Sequence, residues 1–143
     1  MKLLFLLATL TAAALLLTAA APGVTYVGHD KVAAALAKGG SLVSGPGFAV
    51  SCSHRDKAGQ VEVHDKETDI MYVVDGEATF VTGGTMIGGK VPRPGQWLGT
   101  DIQGGESHQL AKGDVIVIPA GTPHWFKAMP GTISYYVVKV IKP

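Results

Sequence analysis

The sequence is short of most features that mark a chain's chemistry. Among 143 residues there is one cysteine, Cys52. A lone thiol cannot bridge within the chain, so the fold stands without internal disulfides. Cys52 reads as a small buried strand residue, with pairing between chains as the alternative. Charge is scarce and balanced: twelve Lys and Arg, less Lys2 in the leader described below, face eleven Asp and Glu. A neutral domain excludes broad electrostatic partners such as nucleic acid or an anionic membrane. There is no Gly-x-Ser-x-Gly elbow, no glycine loop carrying Lys and Ser or Thr, and no second Cys. Those absences exclude the common nucleophile, phosphate-binding and dithiol designs. Internal repeats and charge blocks are missing too, and the length fits one domain.

What is present begins with a leader. Lys2 supplies a short positive start, Leu3 to Leu17 is an uncharged run rich in Leu and Ala, and Thr18-Ala19-Ala20 offers small residues. That order predicts a signal peptide, Met1 to Ala20, cut after Ala20. The expected location is periplasmic or secreted, with no membrane contact after the cut. An uncleaved form held in a bilayer by the apolar run is the alternative.

Residues 21–40 form an N-terminal segment with one short helix. It runs from His29 to Gly40, with Asp30 as N-cap, Val32, Ala35 and Leu36 on one face, and Gly39-Gly40 as its end. Such a helix needs a larger body to pack against, so it reads as a lid or brace. From Ser41 onward the pattern is β. Strands are expected over Phe48–His54, Val61–His64, Ile70–Val74, Ala78–Thr82, Val115–Ile118 and Thr132–Ile141. Asp75-Gly76 reads as a hairpin turn between two of them. The stretch Gly83–Glu106 is dense in Gly and Pro, so few strands are expected there and it reads as a long loop, functional or poorly ordered. Short runs with frequent turns predict an all-β sandwich or closed barrel over residues 41–143.

The most informative segment is Glu62-Val63-His64-Asp65-Lys66-Glu67-Thr68-Asp69. Residues two apart on a strand share a face, so Glu62 and His64 project together. A turn over Asp65–Thr68 would bring Asp69 opposite His64. Carboxylates gathered among apolar neighbours require a cation or protons. Further on, Gly113-Asp114 makes a turn, Val115–Ile118 a strand, and Pro119–Pro123 a tight bend. His124 follows that bend, and nothing local fixes the direction of its side chain.

Both segments resemble the two signature motifs of the cupin superfamily. The first motif has two histidines two apart, a Glu five residues after the second and a Gly seven further on. Here those positions hold Glu62, His64, Asp69 and Gly76, so the spacing fits while two of the three ligands are substituted. The second motif is met in full by Gly113, Pro119, Gly121 and His124. The resemblance covers Val61 to Trp125. It implies a double-stranded β-helix (a jelly-roll-like barrel) holding one divalent metal ion, with His64, His124, Asp69 and Glu62 as ligands.

Two histidines with two carboxylates would neutralise a divalent ion and make it a weaker Lewis acid than a site with three histidines. Oxygen-rich ligation favours iron or manganese, with zinc as a further option. With Glu62 off the metal, His64, His124 and Asp69 form a two-His-one-carboxylate triad suited to iron and O₂. Arg55, Met71 and Trp125 are the expected substrate contacts; Met71 and Trp125 either line the cavity or pack the core, and Arg55 either enters the barrel mouth, where its fork suits an anion, or caps the sheet edge. His108 is expected at the rim. The resemblance implies oxygenase, isomerase or lyase chemistry on a small polar molecule, in a homodimer. Two other readings stay open: a barrel that binds a sugar or small acid without turnover, and a structural dimer without metal.

Overall fold

The computed structural model describes residues 23–143, so the leader Met1–Ala20 and its cleavage point lie outside the described residues. Among the described residues one helix, α1 (His29–Lys38), precedes twelve strands. These are β1 (Gly40–Gly45), β2 (Phe48–Arg55), β3 (Val61–His64), β4 (Glu67–Thr82), β5 (Thr85–Ile87), β6 (Lys90–Arg93), β7 (Gln96–Gly99), β8 (Asp101–Gln103), β9 (Glu106–Ala111), β10 (Val115–Ile118), β11 (His124–Ala128) and β12 (Ile133–Ile141). All pairings are antiparallel. The all-β, jelly-roll-like barrel with one short N-terminal helix is the observed architecture.

Two curled sheets share one long strand. The first half of β4 lies between β12 and β10, in the order β1-β2-β12-β4-β10. Its second half lies between β9 and β11, in the order β9-β4-β11-β3-β7-β6. The strand passes from one sheet to the other at Asp75-Gly76, where a hairpin was expected. No reversal occurs, because the pairs Asp75 with Ser134 and Gly76 with Ile133 continue one ladder before Glu77 takes up Ala111 in the next. Gly76 is needed there for another reason. Its φ is +82°, and an added Cβ would collide with the Thr132 carbonyl oxygen.

Three other expectations are corrected. Asp65–Thr68 is not a hairpin: β3 pairs with β11 and β7 and not with β4, and only Asp65-Lys66 separate the two strands. His64 and Asp69 therefore face each other across the barrel instead of along a ladder. The Gly83–Glu106 stretch holds four short strands, β5 to β8. Its Gly and Pro residues mark turns between them, and pairing of β7 with β3 supplies the order that three- or four-residue segments lack alone. Helix α1 starts from Gly28, which is extended and makes no side-chain cap, so Asp30 lies in the first turn. A carboxylate there still favours the helix dipole.

Inward alternation sets the core. Met71, Val73, Ala78 and Phe80 of β4 meet Ile118, Phe126, Ile133, Tyr135 and Val137 from the facing strands. Phe80 is fully buried and packs edge-on to Phe126 at 4.6 Å between ring centres. Tyr135 points inward and Tyr136 outward, as neighbours on a strand must. On the outer side of β2 and β12, α1 lays Ala35 over Gly40, and the Leu36 carbonyl accepts from Ser134 Oγ at 3.3 Å. The helix is thus a brace on the sheet's outer face. Cys52 is 2% exposed on β2, where burial pushes its thiol pKa up, which fits a structural role.

Candidate metal centre

Four elements deliver the polar cluster. Strand β3 carries Glu62 and His64 on one face, β4 begins with Glu67 and Asp69, β11 opens with His124, and β12 contributes Lys139. His124 pairs with Glu62 across the β11–β3 ladder, which places their side chains together. The bend Pro119–Pro123 that precedes His124 is tied to β3 by Gly121 N–H donating to the His64 carbonyl at 2.8 Å. Local chain geometry thus locks the two histidines to each other, with ring centres 5.2 Å apart.

Donor atoms converge as a cation would require. Nε2 of His64 is 3.4 Å from Glu62 Oε2 and 3.6 Å from Asp69 Oδ2, which is 4.0 Å from His124 Nε2. Ligand atoms about 2.1 Å from one ion stand about 3.0 Å apart at right angles and about 4.2 Å apart across it. Glu62, His64 and His124 offer atoms all within 4.8 Å of one another, and so do His64, Glu67 and Asp69. The four residues expected from the sequence are therefore brought together, with His64 common to both triads. Nδ1 of His124 lies 3.0 Å from the Thr122 carbonyl oxygen. A carbonyl only accepts, so Nδ1 carries the proton and Nε2 presents its lone pair to the cluster.

Burial and charge shape the protonation of these groups. Burial pushes the His124 imidazole down, helped by His64. The Thr122 carbonyl and the Asp69 and Glu62 carboxylates oppose this without reversing it. The ring is accordingly neutral near pH 7, the form a metal needs. Burial pushes Glu62 up, yet the His64 hydrogen bond and the charges of His124, His64 and Arg55 outweigh it and hold the carboxyl below its usual range. For Glu67 the same contest between burial and its partners, Lys139 foremost, also ends low.

Glu67 and Lys139 were missed in the sequence. Lys139 lies directly opposite Asp69 on the β12–β4 ladder. Its Nζ donates to Asp69 Oδ1 at 2.8 Å and Oδ2 at 3.0 Å and meets Glu67 Oε2 at 2.8 Å. That last approach is an ion pair without hydrogen-bond alignment, so the buried Oε2 keeps an unused acceptor site. The same Oε2 is 3.6 Å from His64 Nδ1. A signal for Lys139 did exist: alternation along β12 runs Ile133, Tyr135, Val137, Lys139 on the inward face.

Beside the cluster is a cavity of about 100 Å³, lined by all three expected contact residues, Arg55, Met71 and Trp125. Arg55 enters the barrel instead of capping the edge. Its Nε donates to Tyr135 Oη at 2.9 Å, its guanidinium lies 4.8 Å over the Phe126 ring, and Nη2 is 3.7 Å from Glu62 Oε1. Trp125 Nε1 donates to the Gly59 carbonyl at 2.7 Å, and Gly59 N–H donates to Phe126 O, so β11 pins the loop at the cavity mouth. His108 stays outside the cluster, half-buried on β9 against Thr82 Oγ1 at 2.8 Å.

Comparisons with known proteins agree with this architecture. The cupin domain of Cnp3 from Schizosaccharomyces pombe superposes with a TM-score of 0.53 at 14% identity, over 73% of this chain and 61% of that one. The chain thus spans under two thirds of that domain's length. A Bacillus halodurans protein gives 0.52 at 16% identity, covering 72% and 69%. A conserved Streptococcus pyogenes protein of unknown function gives 0.50 at 19%, covering 74% and 75%. At these identities the likeness is one of fold. No curated protein matches the chain. Residues 47–141, well over half of the sequence and spanning the strands that build the site, match the family described as Cupin, and the chain belongs to the cupin family.

Proposed function

We propose that the cluster holds one divalent ion, iron or manganese before zinc, and that the adjoining cavity binds a small anionic molecule beside it. The observation that carries this reading is the convergence of His64, His124, Asp69 and Glu62 at ligand separations, with Nε2 of His124 freed by its Nδ1 bond to Thr122. Once bound, such an ion would polarise a carbonyl or enol, or take part in one-electron chemistry with O₂. Oxygenation, isomerisation and lyase chemistry are the reaction classes open to it.

The chain's own groups limit the ligand. A cavity of about 100 Å³ equals the liquid volume of about three waters, well below the size of drug-like sites. It suits an acid of two to four carbons. Tyr135 and the Phe126 face hold Arg55 ready for a carboxylate. Met71, Val137 and Phe126 supply its apolar wall.

A second reading, a barrel that binds a small acid without metal or turnover, is favoured by one observation: the Lys139 ammonium is already paired with both Asp69 and Glu67 and offsets part of their charge. Elemental analysis separates the two. The chain from Ala21 onward, purified without chelator or a His-tag, is expected to carry near-stoichiometric iron or manganese. A protein that stays metal-free after incubation with either ion overturns the metal reading.

The setting is part of the proposal: an exported protein, periplasmic or secreted, acting as a homodimer. Supporting the dimer, Val115 lies beside Tyr72 and Val117 beside Ile70 on the outer sheet face, all four exposed. An apolar sheet face of this kind is commonly covered by a partner.

A further inference from the structure

Among the described residues, Lys139 is the one cation built into the inner wall between two of the cluster's carboxylates. The position is specified three ways. The β12–β4 register sets it opposite Asp69, and β12's alternation turns it inward beside Val137. Its Nζ lies 2.8 Å from Asp69 Oδ1, 3.0 Å from Asp69 Oδ2 and 2.8 Å from Glu67 Oε2. A surface ion pair would be of little consequence. Here Asp69 is buried and Lys139 and Glu67 are about three-quarters buried, so the charges are poorly screened by solvent.

We propose that Lys139 is a tethered counter-ion, whose ammonium takes the place of part of a divalent ion's charge at Asp69 and Glu67 and so sets how tightly the site takes up metal. The inference rests on the metal reading above and concerns its regulation. Glu62, Glu67 and Asp69 are paired with two cations, Arg55 and Lys139, a net charge of −1 for these five groups, with Arg93 farther out beside Glu67. Without the Lys139 charge it becomes −2. Two effects of opposite sign follow. The metal-free barrel loses a partner for two buried carboxylates, so it becomes less stable. A divalent ion meets more negative charge and loses the fixed positive neighbour at Asp69, so it binds more tightly. Asp69 also recovers both oxygens for coordination. A purely structural lysine would lower stability without tightening metal binding.

The test titrates Mn²⁺, and separately Co²⁺, into chelator-treated wild-type protein, Lys139→Met and Lys139→Arg by calorimetry, with thermal unfolding of each with and without metal. Lys139→Met is expected to bind metal at least roughly tenfold more tightly, to unfold at lower temperature without metal, and to regain the loss when metal is present. Lys139→Arg keeps the charge and should stay within a few-fold of wild type. If Lys139→Met folds and binds no more tightly than wild type, the proposal is overturned while the metal reading stands. If wild type binds neither ion but Lys139→Met does, the metal reading fails and the counter-ion proposal holds. If neither protein binds, both fail. Should Lys139→Met not fold even in Mn²⁺, Glu67→Gln decides: the cluster becomes less negative, and unchanged or tighter binding overturns the proposal.

Discussion

His64 and Glu67 meet across a chain corner and not along a strand, with His64 Nδ1 3.6 Å from Glu67 Oε2. The opposite ring nitrogen, Nε2, is 3.4 Å from Glu62 Oε2. One buried imidazole is therefore flanked on both nitrogens by carboxylates, and the two sides differ. Glu62 lines the inner cavity, while His64 and Glu67 border a separate pocket near Arg93. An imidazole oriented by a carboxylate behind it is a more basic and better-aligned ligand. Several expectations can be measured.

His64→Ala and His124→Ala should each abolish metal uptake, read as bound metal per chain after dialysis. His108→Ala should leave it intact, because that ring is engaged with Thr82 outside the cluster. Equal damage from His108→Ala would mean that the ligand set is wrong.

Acid should release metal and weaken the fold together. Folded His124 resists protonation relative to an unfolded imidazole at about 6.5, so stability falls as pH drops through that value toward the lower folded one. Glu62 and Glu67 are held below ordinary carboxyl values, so they stabilise the fold above the unfolded pKa and lose that contribution as pH falls through their folded values. All three shifts have the same sign. Thermal unfolding from pH 7.5 to 4 should show a monotonic decline beginning near pH 6.5, and a maximum at pH 5 would contradict the assignment.

Arg55→Lys should weaken binding of two- to four-carbon carboxylates about tenfold or more, since an ammonium cannot reproduce the two-pronged contact. Metal stoichiometry should be unaffected. Ligand-induced thermal shifts with acids and their uncharged amides give the comparison, and equal responses to both would remove the anion from the proposal.

Gly76→Ala and Gly113→Ala should differ although both glycines have positive φ. At Gly113 a Cβ meets nothing within 4 Å, so the cost is backbone strain of about 1–2 kcal/mol. At Gly76 the Cβ also strikes the Thr132 backbone, and the loss should be clearly larger. Equal losses in urea unfolding would show that β4 does not need this residue to change sheets.

Val117→Lys should dissociate the proposed dimer by setting a charge into the exposed face where Val117 adjoins Ile70. Sedimentation velocity should move from a two-chain to a one-chain species, and a wild type that sediments as one chain rejects the dimer.

Much of the site was legible because its spacing reports local geometry. Glu62 and His64 share a face by the two-residue period, and Gly113, Pro119 and Gly121 mark the bend that delivers His124. Asp69 was placed beside His64 through a hairpin that does not form; the proximity arises because β3 and β4 leave the corner for different sheets. Lys139 joins Asp69 only through a pairing seventy residues apart, which no local pattern encodes. Glu67 was absorbed into the supposed turn. The strands β5 to β8 escaped notice because each is too short to show alternation, and tertiary pairing alone orders them.

The position of β12 bears on how the chain acquires its structure. In the first sheet β12 separates β2 from β4, so β1 and β2 have no ladder to the rest of the barrel until β12, which follows every other described strand in chain order, slots between them. Closure is dominated by sequence-distant pairings, which form slowly. A chain still being synthesised therefore lacks the middle of this sheet until residues 133–141 are available to pair. The same strand brings Lys139, so Asp69 gains its ammonium partner in the step that closes the barrel.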